Sequence, residues 1–106
     1  MLARATAEEY ASWFRALADP SRVQIVEYLA RQGRPMSVGE LVAAAGLAQS
    51  TVSQHLKILA EVRFVLAEAV GNARHYRINE RCIACFPSAA DVVMGRPAPT
   101  PTGGCA

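Results

Sequence analysis

No apolar run in the sequence approaches the roughly 20 residues that a bilayer-spanning helix needs, so no membrane crossing is expected. Glu8 and Glu9 stand where a secretory signal would be apolar, which makes a cytoplasmic location the expectation. Cysteine is scarce and odd in number, three in all: Cys82, Cys85 and Cys105. A disulfide framework wants an even count and an oxidising compartment, so none is expected. Net charge of one sign is nearly lacking too. The 11 Lys and Arg against 9 Asp and Glu leave +2, weak support for a nucleic-acid partner when taken over the whole chain. There is no Gly-rich phosphate loop, and neither Cys82 nor Cys85 has a histidine and an acid near it in sequence. No enzyme is therefore expected, with no catalytic residue and no required cofactor. Internal repeats are absent.

What is there fits one small domain. The 106 residues are 52% apolar and 19% charged, an ordinary globular balance. A chain of this size sits where dimerisation often completes the core. The distribution of charge says more than its sum, because Lys57, Arg63, Arg74 and Arg77 fall together, opposed in that stretch by Glu61 and Glu68. The end of the chain, R-P-A-P-T-P-T-G-G-C-A, has the composition of an extended, flexible segment. Residues 1–95 are thus expected to form one folded domain, followed by a flexible tail over 96–106.

Hydrophobic spacing divides the chain into elements. Tyr10, Trp13, Phe14 and Leu17 recur every three or four residues and predict a first helix over about 7–17 with an aromatic face. Asp19 and Pro20 form an N-cap and first-turn pair for a second helix, which Gly33 and Pro35 end. Ser37 and Glu40 have capping-box spacing and open a third helix that Gly46 stops. A fourth begins near Gln49 or Ser50. Two short helices joined by a glycine-containing turn are the helix-turn-helix signature. From Phe64 onward the period becomes strand-like, and Gly71-Asn72 marks the tip of a hairpin between 64–70 and 73–78. Asn79 can cap a last helix, which Pro87 is expected to interrupt or restart and Gly95 to stop. The fold class expected is mainly α with a two-stranded β-hairpin wing, a winged helix-turn-helix.

The fourth helix carries the pattern of a base-reading element. At about 100° per residue, Val52, Leu56 and Leu59 share one stripe while Ser50, Ser53, Gln54, Lys57 and Glu61 cover the far side. Gln pairs bidentately with adenine, Ser and Thr adapt to donor or acceptor edges, and Lys takes guanine or phosphate. Gln49, Ser50, Thr51, Ser53, Gln54 and Lys57 are the candidate contacts to double-stranded DNA. Ser50 and Thr51 lie at the helix N-terminus, where free N–H groups favour phosphate. His55, at the edge of the apolar stripe, reads as a packing or hydrogen-bonding residue. Arg74 and Arg77 on the return strand are candidates for phosphate contact. The plainer readings are a solvated helix face and a solubilising strand edge.

The segments A-L-A-D-P-S-R, S-V-G-E-L, S-T-V-S-Q-H-L-K-I-L and G-N-A-R-H-Y-R-I-N resemble, in order and spacing, the ArsR/SmtB family of metal- and metalloid-responsive repressors. The resemblance covers roughly 13–79. It implies a homodimer paired through its first and last helices, repressing an operator of two-fold symmetry and released by an inducer. The aromatic first helix suits such pairing. Many members bind arsenite or a soft metal through a C-V-C pair on the third helix. Here that stretch is Ser37-Val38-Gly39, so the site is lacking; Asp91 alone does not supply the zinc site other relatives place on the last helix.

The cysteines offer another place. Cys82 and Cys85 are three residues apart, which on a helix sets their Cβ atoms about 5–6 Å from each other, within reach of one soft ion. Arg81 nearby would lower a thiol pKa. The coil after Met94 spans very roughly 18 Å, enough for Cys105 to supply a third sulfur. Trivalent arsenic and antimony take three thiolates, and some ArsR-family repressors are similar in placing three cysteines near the C-terminal dimer helix. Cys82, Cys85 and Cys105 are therefore the candidate metal ligands, with As(III) or Sb(III) as inducer ahead of other soft metal ions. Three alternatives stay open: a redox- or persulfide-sensing repressor, a family member without a metal site whose cysteines only pack, and a non-specific thiol metal-binding module.

Overall fold

The computed structural model describes residues 1–96, apart from the side chains of residues 82–85. Five helices and three strands follow in the order α1 (Arg4–Ala16), α2 (Pro20–Gln32), β1 (Met36–Ser37), α3 (Val38–Ala45), α4 (Gln49–Glu61), β2 (Val65–Val70), β3 (Ala73–Ile78) and α5 (Glu80–Val93). No helix among the described residues is long and apolar enough to cross a membrane.

Local chemistry sets most of the boundaries. Asp19 Oδ1 accepts the backbone N–H groups of Ser21 (2.8 Å) and Arg22 (3.3 Å), and Pro20 occupies the first turn of α2. Glu40 N–H donates to Ser37 Oγ (3.1 Å), while Ser37 N–H donates to Glu40 Oε1 (3.2 Å), closing the capping box of α3. Gly46, at φ 67°, turns the chain from α3 toward α4. The end of α4 makes the same left-handed turn without a glycine, for Arg63 sits at φ 62°. Two hydrogen bonds fix it, Arg63 N–H to Ala60 O (3.1 Å) and Phe64 N–H to Leu59 O (3.0 Å), the pair that defines a Schellman cap.

The core lies where α2, α3 and α4 meet the sheet. Ile25, Leu29, Leu41, Val52, Leu56 and Leu59 are each at most 2% exposed, as are Met36, Phe64 and Val65 on the strand side. Burying side chains of this size contributes about 1.5–3 kcal/mol each. Tyr76 and Ile78 of β3 close one edge.

Two features depart from the sequence expectation. The wing hairpin is joined by a third strand, because β1 pairs antiparallel with β3 (Met36 opposite Tyr76, Ser37 opposite His75), giving the sheet order β1-β3-β2. A two-residue strand ending on a helix cap has no alternation to betray it. The second departure is Pro87, which does not interrupt the last helix: α5 runs through it without a break. Proline removes one helix hydrogen bond and crowds the preceding turn. Packing on both sides of Pro87 outweighs that cost. Phe86 lies edge-on to Phe14 (ring centroids 5.5 Å) and to Phe64 (5.4 Å), and Ala89 is buried.

Candidate nucleic-acid interface

Three buried residues decide which face of α4 meets solvent. With Val52, Leu56 and Leu59 sealed in the core, Gln49, Ser50, Thr51, Ser53, Gln54 and Lys57 are all exposed. At about 100° per residue, Ser50, Gln54, Lys57 and Glu61 fall within about 60° of one another, with Ser53 on one flank and Thr51 on the other. The structure therefore brings Ser50, Ser53, Gln54 and Lys57 onto one outward polar face with Thr51 at its edge, while Gln49, exposed in the first turn, lies about 20° from the line of Leu56. Ala48, the N-cap, gives no side-chain hydrogen bond, and the first turn holds no acid. Its leading N–H groups, directed along the helix axis, suit an approaching phosphate.

His55 departs from this surface, as its sequence position suggests. It is half-buried on the flank facing α2, with Nδ1 3.4 Å from a terminal guanidinium nitrogen of Arg22. Arg22 also donates from Nε to Ala16 O at 2.6 Å. The Asp19 carboxyl beside it is held below its ordinary value. Desolvation works to raise it, but backbone N–H donation from Arg22 and Ser21 prevails, helped by the charges of His55 and Arg22. Sequence reasoning missed the Arg22–His55 contact, since the two residues are 33 apart and share no periodic pattern.

The wing treats its two arginines differently. Paired residues across an antiparallel ladder share a face, and alternate residues along a strand change face. Arg74, opposite Ala69, therefore shares the side of Tyr76 and Ile78, whereas Arg77, opposite Leu66, shares the side of His75 and Glu68. Arg77 Nε lies 3.6 Å from Glu68 Oε2. Arg74 is exposed and has no ion-pair partner among the described residues. The hairpin does not bring the two arginines together. The sequence held the signal: a two-residue loop at Gly71-Asn72 places Glu68 opposite His75 and diagonal to Arg77.

At the other end of the wing, Asn79 joins three elements. Its Oδ1 accepts Arg81 N–H (3.2 Å) to cap α5, its Nδ2 donates to Arg63 O (2.8 Å), and its own N–H donates to Phe64 O (2.9 Å). Cys82 and Cys85 lie on the α5 that begins there, and Cys105 lies outside the described residues. Among the described residues, no three His, Cys, Asp or Glu side chains gather as a metal site.

With this geometry in place, the comparisons with known proteins are specific. The sequence model of the family described as "Bacterial regulatory protein, arsR family" matches residues 19–66, from the cap of α2 into β2. The chain is 36% identical over 84 residues to a probable mercury resistance operon repressor of Streptomyces lividans, covering 79% of this chain and 61% of that protein's length. It is 33% identical over 72 residues to the arsenical resistance operon repressor of Bacillus subtilis, covering 68% of each. Among solved structures, the homodimeric winged helix-turn-helix DNA-binding domain of Mb0332 from Mycobacterium bovis, a possible ArsR-family transcriptional regulator, superposes with a TM-score of 0.70 at 28% identity. That match covers 85% of this chain and 82% of the other. These relatives are regulators of transcription and not enzymes.

Proposed function

Because the chain belongs to the ArsR family of bacterial regulatory proteins, we propose that it is a homodimeric transcriptional repressor whose α4 and wing grip a two-fold symmetric operator. The observation that carries this is the outer face of α4, where the exposed Ser50, Ser53, Gln54 and Lys57 stand beside an N-terminus without a side-chain cap. Thr51 at the edge of that face and Gln49 in the first turn add to it, and Arg74 with Arg77 adds phosphate contacts from the wing. Residues 1–95 serve as the DNA-binding and dimerisation domain, with 96–106 as a tail that carries the third thiol. The protein acts in the cytoplasm, on DNA and without a resident cofactor.

The inducer in this reading is a thiophilic species, arsenite or antimonite, held by Cys82, Cys85 and Cys105. Support comes from the missing thiols at Ser37 and Gly39, from the gathering of every cysteine between residues 82 and 105, and from relatives whose names speak of mercury and arsenical resistance. Thiolates match such ions in softness. The ligand favours release only in so far as it binds the released conformation better. A change in α5 would alter the separation of the two reading helices, which must match one duplex turn of about 34–36 Å.

The test is a fluorescence-anisotropy titration on an operator selected by the protein from a randomised duplex library. Arsenite, antimonite, mercuric ion, cadmium, zinc and peroxide are each added to the complex. Cys82→Ser and Cys85→Ser should bind DNA normally yet fail to release it with arsenite, and Cys105→Ser should show a milder defect. Release of all three variants at the wild-type arsenite concentration would end the metalloid reading.

A further inference from the structure

We propose that Arg22 is a positioning residue for DNA recognition, setting the rotation of α4 by tying His55 to the C-terminal carbonyl groups of α1. The inference rests on α4 being the base-reading helix.

Apolar packing alone leaves α4 a degree of freedom. Val52, Leu56 and Leu59 fix the depth of the helix in the core, but they are rounded aliphatic contacts with no directional demand. Polar contacts are directional, and Arg22 supplies one near the middle of the helix. Its Nε donates to Ala16 O at 2.6 Å and one terminal nitrogen lies 3.5 Å from Arg15 O. Both carbonyls belong to the last turn of α1, and Arg15 O also accepts the N–H of Ala18 at 3.1 Å just beyond the helix. The other terminal nitrogen faces His55 Nδ1 at 3.4 Å, a contact in which the guanidinium can only donate and the ring nitrogen accepts when it bears no proton.

Arg22 is itself held. Its backbone N–H is one of the two that donate to Asp19 in the cap of α2. The fork therefore starts from a fixed point and joins three helices through one planar group. Lysine cannot replace it, since a single ammonium on a flexible stem does not span carbonyls on one side and an imidazole on the other.

Small rotations matter at the reading face. Side-chain tips lie about 5–6 Å from a helix axis, so a turn of about 10° moves them about 1 Å. That is enough to take a bidentate hydrogen bond outside its range of 2.7–3.2 Å for N–H···O contacts. Loss of the tie should thus lower discrimination between sequences and leave attraction to phosphates in place.

The test compares affinity for the selected operator with affinity for random duplex, well below the melting temperature of every variant. Arg22→Lys keeps the charge, and His55→Ala removes the other end of the tie. Each should cut the operator-to-random ratio about tenfold, with random-duplex affinity within about twofold of wild type. The double variant should lose no more than either single one, the mark of two residues acting through each other. His55→Asn, which offers an acceptor near the position of Nδ1, should restore much of the ratio. Gln54→Ala is the control on the reading helix itself. If it lowers the ratio while Arg22→Lys and His55→Ala do not, or if those two add, the proposal is overturned alone. If Gln54→Ala also leaves the ratio unchanged, the assignment of α4 falls and the proposal with it. Should Arg22→Lys fail to fold, the comparison of His55→Ala with His55→Asn still decides.

Discussion

Salt dependence separates the two wing arginines, and the structure sets the size of the difference. Each phosphate contact contributes a slope of about 0.9 in a plot of log affinity against log salt. In a homodimer every substitution counts twice, so losing a full contact changes the slope by about 1.8. Arg74 is exposed and unpaired among the described residues, and Arg74→Ala should show that full change. Arg77 stands 3.6 Å from Glu68, and both side chains are more than two-fifths exposed. An ion pair so open to water contributes less than about 1 kcal/mol. That is still enough to compete with a phosphate for the guanidinium, and Arg77→Ala should change the slope by clearly less than Arg74→Ala.

Glu68→Gln supplies the converse. Freeing Arg77 should steepen the salt dependence and raise affinity at low salt. Removing any acid near DNA would raise affinity somewhat, so the comparison is repeated in an Arg77→Ala background, where the steepening should vanish. Anisotropy titrations on one random duplex from 50 to 300 mM salt, on the order of the range where such slopes are measured, suffice. Equal slope changes for Arg74→Ala and Arg77→Ala would refute the reasoning, as would a Glu68→Gln effect that persists without Arg77.

Further outcomes follow from packing and capping. Phe86→Ala should cost about 2–3 kcal/mol in urea unfolding, below the range for a fully buried ring because Phe86 is half-buried, and Phe86→Leu should cost less. Acid should weaken the cap of α2: the Asp19 carboxyl is depressed in the folded state, so its contribution is present above its ordinary value of 3.8 and is lost as pH falls through the folded value. Thermal melts below pH 4, about the ordinary carboxylate range, should therefore decline less steeply for Asp19→Asn, which keeps an uncharged cap, than for wild type. Glu40 is depressed by the Arg34 side chain and the Ser37 backbone, and sets the part of the acid decline that Asp19→Asn leaves behind.

The elements legible in the sequence were those whose signals are local. The cap at Asp19, the capping box at Ser37 and the turn at Gly71-Asn72 are each decided within a few residues, and each lies where its chemistry placed it. The outer face of α4 was legible for the same reason, being fixed by the spacing of Val52, Leu56 and Leu59. What sequence spacing could not supply were relations across the fold. The pairing of Ser37 with His75, the edge contacts that carry α5 past Pro87, and the Arg22–His55 tie all join residues distant in the chain. A proline in a helix is judged by propensity in sequence and by its neighbours' packing in the fold, and here the second outweighs the first.

Those long-range relations converge on one region. Phe86 meets Phe14 of α1 on one side and Phe64, just beyond the cap of α4, on the other. Arg22 meets the last turn of α1 on one side and His55 of α4 on the other. The helix that bears Cys82 and Cys85 therefore reaches the reading helix by two routes that both start at Phe86, one directly through Phe64 and one through Phe14, α1 and Arg22. Close-packed rings transmit a displacement because they have little room to absorb it, and hydrogen-bonded forks transmit it because they tolerate little change in angle. A displacement of α5 would reach α4 near its C-terminal end through Phe64 and near its middle through His55, turning the helix as well as shifting it. Rotation is the motion to which hydrogen bonds at base edges are most sensitive, so a ligand on α5 could release DNA while leaving the core of α2, α3 and α4 intact.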